Sequence, residues 1–529
     1  MAVRSGLTVE EDEQQQEELV GPTHHPSAPL DELFDVSTTV DPSYIISLIR
    51  KLLPPGPGTN SSCDGVASDA TDQGSPTCTK EGNASSTSKD EHFESSKNKS
   101  ENMDFDHSVE LSYQQGELED LCNGLEQTGD SVGDEAWEEY GCILWDLAAS
   151  KMHAELMVEN FILEVIFANV MVCKSLRVTE IIIGICGNLA CHEVPMKRIV
   201  LTNGLIEIIV DKLFLDDPQC LCEICRLLTV GLQSSESIRW CGALQSEQIL
   251  SRSLWIVENT LSPQLIEKSI GLILAILESR QEVVDTLLPP MMKMGLASLL
   301  ISLLAFEVSK LMSERMPERY SILDLLLRVI EALSVIDEHS REICSSTKLF
   351  ELVSCLIKFP DKVEVASCCV TAAVLIANIL ADVTDRAFEI SLDLSFVEGL
   401  LDIFPLASDD MEARNALWNI IARVLVRIRE TEMSPSSLYR YVSVLAGRVD
   451  LIEDELLNQQ LDDSGHGHES FHPPGSTADA RITSLRRMIS ILNQWTAAKD
   501  YANDNVNAEE VVKDRDVKKL LNCCHKYSQ

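Results

Sequence analysis

Three closely spaced cysteines are the side chains of this chain that most resemble a metal-binding motif. Cys220, Cys222 and Cys225 would offer thiolate sulfur, which is a good zinc ligand, at short spacing. The run around them is apolar with helical periodicity, and a free cysteine in such a run behaves as a small hydrophobic residue. Cys368-Cys369 and Cys523-Cys524 are interpreted in the same way. We therefore predict buried free thiols at these positions, and no metal or cofactor.

Histidines concentrate in one polar segment, where His466, His468 and His472 could bind a transition metal loosely. The segment is rich in glycine and proline, so adventitious binding is the favoured explanation. The chain contains no glycine-rich phosphate loop, no G-x-S-x-G elbow and no H-E-x-x-H motif. We therefore predict that the protein is not an enzyme, since an enzyme would need a deep pocket with converging polar groups.

Asparagines near the ends of apolar segments are the polar residues of most functional interest. Asn188, Asn378 and Asn419 stand in such positions, and Trp418 directly precedes Asn419. In armadillo importins, a ladder of asparagines binds the backbone of an extended basic peptide, with a tryptophan one helical turn away. Because Trp418 is adjacent to Asn419 instead, structural hydrogen bonds between repeats are the favoured interpretation of the asparagines. The alternative is a partner-binding groove that contains Asn188, Asn378, Trp418 and Asn419.

The charge of the chain is strongly negative and unevenly spread. The formal net charge of the 529 residues is −41, and residues 1–135 alone hold 28 acidic against 7 basic residues. An acidic chain repels phosphate backbones, so nucleic acid is not expected as the primary ligand. A basic protein partner fits this charge better. The alternative is that the charge only maintains solubility.

Composition separates the chain into parts with different expected order. Residues 1–36 form an acidic arm and residues 54–135 a Ser/Thr-rich linker, and both are predicted to be disordered. Residues 37–53 contain a short amphipathic helix whose apolar face has no neighbour in sequence, so it must dock on the main body or on a partner. Residues 136–498 are predicted to form the folded body. Residues 499–529 are predicted to be a charged C-terminal tail.

Apolar segments recur along the folded body at spacings of 44 to 54 residues. They start near Asn160, Gly204, Ile249, Gly295, Leu349 and Phe396. A second apolar helix begins about 15 residues after most of these starts, and the period is typical of armadillo and HEAT repeats. The sequence therefore predicts an all-α fold, an armadillo/HEAT-like right-handed solenoid of helix pairs with a flexible loop at 461–479.

The segment from Glu180 to Cys191 is apolar on more than one face, as expected of a helix inside a protein. Gly184 and Gly187 interrupt it, although each glycine costs about 1 kcal/mol relative to alanine in a helix interior. Such a cost is usually offset where another helix must approach closely. We therefore predict helix contacts at these two glycines.

The chain carries no secretory or membrane signal that we recognise. Its start lacks the apolar core of a signal peptide, and no uninterrupted apolar run reaches the ~18 residues of a membrane span. Its 17 cysteines are expected to be free thiols in a reducing compartment. We therefore predict a soluble intracellular protein, nuclear and/or cytoplasmic and not secreted.

Several short motifs within residues 137–235 carry a family resemblance. They are Trp145-Asp146, Gly184-Ile185, Gly187-Asn188-Leu189-Ala190-Cys191, Asp217-Pro218 and Arg226-Leu227-Leu228. Together with the segment Ser37-Thr-Thr-Val40, which precedes the short apolar helix, they resemble the serum amyloid A-like 1 (SAAL1) protein family. The resemblance implies an armadillo-like protein, found largely in the nucleus, that promotes cell proliferation and cell-cycle progression without being an enzyme. It supplies no binding residues.

These observations predict a non-enzymatic, protein-binding scaffold of armadillo-like repeats. The alternative is a nucleocytoplasmic transport adaptor that binds basic peptides in its concave groove. In either case the expected partners are proteins, possibly basic ones. Nucleic acid as the primary ligand, a membrane and a small-molecule substrate are not expected.

Overall fold

The computed structural model describes residues 40–54, 131–428, 433–465, 477–501 and 513–528. The acidic arm at 1–36, nearly all of the linker at 54–135 and the histidine-containing segment at 466–476 lie outside the described residues. The predictions of disorder for the arm and the linker therefore stay predictions.

The described residues form α-helices, four short 3-10 turns and no strand. The α-helices in chain order are α1 (Pro42–Lys51), α2 (Ser131–Leu147), α3 (Lys151–Glu159), α4 (Ile162–Val172), α5 (Leu176–Ala190), α6 (Glu193–Leu201), α7 (Leu205–Asp211), α8 (Pro218–Gln233), α9 (Ser237–Leu244), α10 (Glu247–Asn259), α11 (Pro263–Leu277), α12 (Gln281–Lys293), α13 (Leu296–Ser313), α14 (Tyr320–Ser334), α15 (Asp337–Cys344), α16 (Thr347–Ile357), α17 (Ala366–Asp382), α18 (Arg386–Ser391), α19 (Leu394–Leu401), α20 (Met411–Arg427), α21 (Pro435–Gly447), α22 (Val449–Gly465), α23 (Thr477–Tyr501) and α24 (Asp514–Tyr527).

From α3 to α20 the helices group into three-helix units, in each of which a short first helix precedes a second and a third. The third helices pack against one another in sequence order, α5 on α8, α8 on α11, and so on to α20. We call these the ladder helices, and α2 and α23 extend the same row at its two ends. The prediction of an all-α, armadillo-like solenoid is confirmed.

The prediction of helix pairs is wrong, because each unit has a further helix before the pair. Apart from α12, which has 13 residues and buries six apolar side chains, these first helices are short and bury few apolar side chains. In α15, for example, only Ile343 and Cys344 are buried, and α18 has only six residues. Such segments are too short to show a clear helical period in the sequence.

Several ladder helices begin at the same local signal, a side-chain cap followed in some cases by proline. The carboxylate of Asp217 accepts a hydrogen bond from the Cys220 amide at 2.8 Å, and Pro218 occupies the first helical position. Ser262 caps α11 in the same way ahead of Pro263. These caps satisfy amide groups that a helix leaves without partners, and proline is compatible with a first helical turn. They therefore fix where these ladder helices start.

The two glycines of α5 lie at close helix contacts, as the sequence predicts. A Cβ atom at Gly184 would stand 2.2 Å from the Trp145 ring of α2, and one at Gly187 would stand 2.5 Å from Nη2 of Arg226 in α8. No side chain fits at the first position without movement of the Trp145 ring. The missing Cβ atoms therefore allow α2 and α8 to approach α5 from its two sides.

Helix α1 docks on the first units of the solenoid. Ile45, Leu48 and Leu52 are buried, and the Leu52 carbonyl oxygen accepts hydrogen bonds from Trp137 Nε1 at 3.2 Å and from Asn169 Nδ2 at 2.7 Å. Because Asn169 belongs to α4, the carbonyl joins α1 to two other helices. The helix that the sequence places within residues 37–53 thus covers the start of the array.

The C-terminal region contains more regular structure than its composition suggests. Helix α24 lies within the predicted charged tail at 499–529 and packs against α21, α22 and α23. Its buried side chains are Val517, Leu520, Cys523 and Cys524, a stripe whose spacing follows the helical period. Helix α22 likewise continues to Gly465, into the segment predicted to be a flexible loop. The charged residues of the tail thus cover one face of a packed helix.

Two helices among the described residues are long and apolar enough to cross a membrane by length and composition alone. They are α13 and the segment Lys362–Asp382, which contains α17. Helix α13 packs against α12, α14 and α16, whereas α17 packs against α14, α16 and α20. Both occupy regular positions in the repeat array, as core helices do.

Candidate functional site

Asn188 lies at a junction of three ladder-row helices. Its Nδ2 donates to the Trp145 carbonyl oxygen of α2 at 2.8 Å, and its Oδ1 accepts from Nη1 of Arg226 in α8 at 3.1 Å. Arg226 also donates to the Gly184 carbonyl oxygen at 3.2 Å and pairs with Glu223 at 2.7 Å. Both the nitrogen and the oxygen of the Asn188 amide therefore form hydrogen bonds within the protein.

The other two asparagines differ from Asn188 and from each other. Asn378 Nδ2 donates to Ser334 Oγ at 2.9 Å, which joins α17 to α14. Asn419 is partly exposed on α20, and its side chain has no hydrogen bond to any described residue. The three positions therefore do not form a uniform row of free amides.

Trp418 is a core residue in this structure. It is only 1% exposed, its ring centroid lies 5.1 Å from that of Phe404, and Nε1 lies 3.4 Å from Oε1 of Glu455. A ring buried to this degree offers no surface to a peptide. Of the four residues considered for a groove, Asn188 has both ends of its amide hydrogen-bonded, Asn378 has its Nδ2 hydrogen-bonded, and Trp418 is buried, whereas the Asn419 amide forms no hydrogen bond with a described residue.

Polar side chains also join successive units at the C-terminal ends of the ladder-row helices. Ser279 Oγ donates to the Leu232 carbonyl oxygen at 3.0 Å, and Arg487 Nη2 donates to the Ile428 carbonyl oxygen at 2.6 Å. The Arg423 guanidinium donates to the Leu380 carbonyl oxygen. The last carbonyl groups of a helix have no partner within it, so these bonds satisfy them while tying one unit to the next.

The closely spaced cysteines point to different neighbours. Cys220 Sγ lies 3.1 Å from the Leu176 carbonyl oxygen, and Cys225 Sγ lies 3.7 Å from Ser269 Oγ. Burial raises the pKa of the Cys220 and Cys225 thiols to about 12, and that of the Cys222 thiol to about 11. Within the described parts of the chain, no three His, Cys, Asp or Glu side chains are grouped so that they could hold a metal ion.

A large open groove lies near the C-terminal end of the described solenoid. Its volume is about 890 Å³. We name it the Phe388 groove, and the side chains that define it are Phe388, Leu392, Arg423, Val426, Arg427 and Met433. Its walls come from α18, from the last two turns of α20 and from the first turns of α23. The volume lies in the range of ligand sites in proteins.

The apolar side chains of the Phe388 groove are unusually exposed. Phe388, Leu392 and Val426 are 58%, 66% and 52% exposed, respectively. The short helix α18 buries Ala387, Ile390 and Ser391 on one face, which leaves Phe388 and Leu392 on the other. Ser391 Oγ donates to the Phe388 carbonyl oxygen at 2.8 Å and so helps to hold the backbone beneath the ring. The groove therefore presents fixed apolar surface to solvent.

Among the described residues, the charged side chains that line the Phe388 groove are both arginines. Arg423 and Arg427 lie four residues apart on α20, which places them on one face of the helix, and Val426 lines the groove beside them. Arg427 is exposed and has no ion pair or hydrogen bond with any described residue. The groove thus combines apolar anchors with positive charge, in a chain that is strongly acidic overall.

The residues that line this groove carry almost no sign of it in the sequence. Phe388 and Val426 are distant in sequence. The residues near each of these two side chains do not mark the side chain as exposed. The one available signal is the sequence Arg423-Val-Leu-Val-Arg427, in which two cations stand one turn apart at the end of an apolar helix. That signal is weak, because arginine at a helix C-terminus is favourable in any case.

Comparison with known proteins places the chain beside two curated relatives. No family profile matches it. It is 28% identical over 133 residues to protein saal1 of Danio rerio, a match that covers 25% of this chain and 28% of the relative. It is 29% identical over 138 residues to protein SAAL1 of Homo sapiens, with 26% of this chain and 29% of the relative covered. Over these residues the chain is similar to the SAAL1 proteins, in agreement with the resemblance carried by its sequence motifs. These matches span under a third of the length of either relative.

Solved structures similar to this chain include an engineered protein and a designed armadillo repeat protein. The crystal structure of one engineered protein gives a TM-score of 0.46 at 15% identity, with 75% of this chain and 86% of that chain covered. A designed armadillo repeat protein in complex with the peptide (KR)4 gives a TM-score of 0.37 at 12% identity, with 47% and 95% covered.

Proposed function

We propose that this protein is a non-enzymatic scaffold that binds a segment of a partner protein in the Phe388 groove. Its armadillo-like fold and its relationship to the SAAL1 proteins support a protein-binding scaffold. The observation that carries the choice of site is the cluster of exposed apolar side chains, Phe388, Leu392 and Val426, around one groove. Contiguous apolar surface of this kind marks interaction sites in soluble proteins.

The energetics of burial favour a protein segment as the occupant. Full burial of a Leu, Val or Phe side chain stabilises a complex by roughly 1.5–3 kcal/mol. Because more than half of each of the three side chains is exposed, a partner that covers them recovers a large share of this free energy. A peptide side chain that enters the groove would bury its own surface as well, so a few residues can anchor a segment.

The lining of the groove supports binding rather than catalysis. Apart from the two arginines and a few hydroxyl groups, its described lining is apolar, and it includes no His, Cys, Asp or Glu. These four side chains supply most general bases and most nucleophiles other than serine and threonine. The lining thus resembles a docking surface, in agreement with the armadillo-like fold.

The second candidate function is a transport adaptor that binds basic peptides along Asn188, Asn378 and Asn419. The net charge of −41 favours it. The structural hydrogen bonds of Asn188 and Asn378 and the burial of Trp418 favour the scaffold instead. A nuclear location and a role in cell proliferation, which the family resemblance implies, belong to the proposal and can be checked by imaging and by growth after depletion.

Affinity capture from native cells with matched variants tests the proposed function. The groove variant is Phe388→Ser with Leu392→Ser, and the asparagine variant changes Asn188, Asn378 and Asn419 to Ala. The control is Phe161→Ser with Leu201→Ser, which removes two similarly exposed apolar side chains outside the groove. Circular dichroism and thermal unfolding first check that every variant is folded at the temperature of the capture.

The scaffold proposal predicts that a defined set of partners is lost with the groove variant and retained with the other two. If the groove variant retains every partner, the proposed site is wrong. If the asparagine variant alone loses basic partners, the transport adaptor is the better account.

A further inference from the structure

The charge of the Phe388 groove is opposite in sign to that of the whole chain. The chain has 84 acidic and 43 basic residues, yet the charged side chains that line the groove within the described part of the chain are Arg423 and Arg427. Short-range contacts depend on the groups at the site, since charges further away than about 8 Å are largely screened at physiological salt. The groove is thus a local cationic surface on an anionic protein.

Neither of the two arginines has a carboxylate partner among the described residues, and Arg423 is held in place. Arg423 donates one N–H group to the Leu380 carbonyl oxygen, which fixes its guanidinium at the wall of the groove. Neither Arg423 nor Arg427 forms an ion pair with any residue that the structure describes. On other ladder helices, Arg177 pairs with Glu180 at 2.7 Å, and Arg328 pairs with Glu278 at 2.9 Å. The groove arginines are therefore available to an incoming carboxylate.

We propose that the Phe388 groove recognises an acidic segment of a partner protein that carries a bulky apolar side chain beside Asp or Glu. This inference rests on the proposed function and names the chemistry of the segment. The apolar side chain packs on Phe388, Leu392 and Val426. Carboxylates at alternate positions to one side of it, which point the same way in an extended segment, bind Arg427 and Arg423, because a guanidinium offers paired donors that match a carboxylate.

The spacing of the cationic and apolar groups fits such a segment. Arg423 and Arg427 lie about one helical turn apart, where Cβ atoms are ~5–6 Å from each other, and Val426 lies beside them. In an extended peptide, two residues that point to the same side are ~6.6 Å apart. A segment with carboxylates two residues apart therefore reaches both guanidinium groups.

Peptide pools test this inference with the full-length chain. Three pools of fluorescent 12-residue peptides share a central Leu-Phe pair, and their degenerate flanks contain Asp/Glu, Ser/Gln or Lys/Arg. Affinity is measured by fluorescence anisotropy at one physiological salt concentration. The acidic pool is expected to bind about tenfold or more tightly than the neutral pool, and the basic pool more weakly still.

Two charge-reversal variants provide the matched comparison. Arg427→Glu is expected to weaken binding of the acidic pool by about tenfold or more, because it replaces an attractive contact by a repulsive one. Arg198→Glu on the exposed face of α6 changes the net charge by the same amount outside the groove and is expected to leave the affinity unchanged. Phe388→Ser is expected to remove binding of the acidic pool.

The outcomes separate this inference from the proposed function. If the neutral or basic pool binds as tightly as the acidic one and Phe388→Ser removes that binding, the groove binds segments but the acidic preference is wrong. If no pool binds, or if acidic binding survives both Phe388→Ser and Arg427→Glu, the inference is overturned. The proposed function is then judged by the affinity capture alone, from the partners that the groove variant loses.

Discussion

The Oδ1 atom of Asn188 lies 3.1 Å from Nη1 of Arg226, and this contact ties ladder helix α5 to ladder helix α8. The same amide donates to the Trp145 carbonyl oxygen of α2. One polar side chain thus joins three consecutive members of the ladder row. A residue whose sequence context suggests a peptide-binding ladder is here part of the structure that holds the units together.

The first prediction concerns the stability contributed by Asn188. Asn188→Ala is expected to lower the free energy of unfolding by about 1–3 kcal/mol, because it removes the side-chain donor of the Trp145 carbonyl oxygen and one acceptor of the Arg226 guanidinium in a partly buried junction. Urea denaturation followed by circular dichroism measures the change. Asn419→Ala is the matched control and is expected to stay within about 0.5 kcal/mol of the wild type. Equal losses for the two variants would contradict the assigned roles.

The second prediction concerns a backbone position that repeats along the chain. Phe161 precedes α4 with φ 67°, as Gly204 precedes α7 with φ 80° and Gly295 precedes α13 with φ 94°. A left-handed conformation costs an L-residue roughly 1–2 kcal/mol, and the greater freedom of glycine in the unfolded chain offsets part of that. Phe161→Gly is therefore expected to stabilise the fold by about 0.5–1 kcal/mol.

The reverse substitution is the control for Phe161. Gly204→Ala is expected to destabilise the protein by about 1 kcal/mol. Its cost is conformational, since the added Cβ atom would lie 3.6 Å from the Phe167 ring, an ordinary contact. Thermal unfolding measures both variants. A loss of stability for Phe161→Gly would mean that the exposed ring contributes more than the backbone strain costs.

The third prediction concerns the pH dependence of stability at Glu331. Burial raises the pKa of the Glu331 carboxyl above its usual value of 4.5, and the Glu412 carboxylate raises it further, whereas Arg328 acts in the opposite direction. The folded state thus binds this proton more tightly than the unfolded state. The resulting stability is fully present below the unfolded pKa and is lost as the pH rises through the folded pKa.

Glu331→Gln tests this sign, because glutamine stays neutral at every pH. Relative to the wild type, the variant is expected to gain free energy of unfolding as the pH rises from about 4 to about 7. Glu412→Gln removes the neighbouring carboxylate and is expected to reduce the same pH dependence in a chain that keeps Glu331. The free energy of unfolding of Glu331→Gln is compared with that of the wild type at each pH. If the difference between them does not change with pH, the raised pKa of Glu331 is contradicted.

The fourth prediction compares two cysteines at the end of α5. Burial raises the pKa of the Cys186 thiol to about 12, whereas Cys191 is exposed. Because only the thiolate reacts, iodoacetamide at neutral pH is expected to label Cys191 in the native protein and to label Cys186 only after unfolding. Mass spectrometry of the peptides follows both sites. Rapid native labelling of Cys186 would show that α5 opens locally.

The ladder row was the most predictable part of the fold. Its helices carry their own signals, such as the Asp217 cap before Pro218 and the glycines of α5. Signals of this kind are local, so a single sequence contains them. The short first helices were not predictable in the same way, because a six-residue segment such as α18 holds less than two helical turns.

The candidate site depended on information that the sequence does not contain. The sequence placed Asn188 near the end of a helix, but the direction of its amide follows from how α2 and α8 pack around α5. The exposure of Phe388 likewise follows from which face of α18 turns inwards and from where α23 begins. Both are consequences of tertiary packing, which residue types and spacing alone do not reveal.

Photo-crosslinking from the groove is the most direct test of the central claim that the Phe388 groove binds a partner segment. Benzoylphenylalanine is placed at position 388 or, as a control, at position 161, which is also an exposed phenylalanine but lies outside the groove. We expect discrete crosslinked proteins from position 388 that are absent from position 161 and that an excess of the acidic peptide pool displaces. Identical crosslinks from both positions, or none from position 388 in cells that contain the native partners, would contradict the claim.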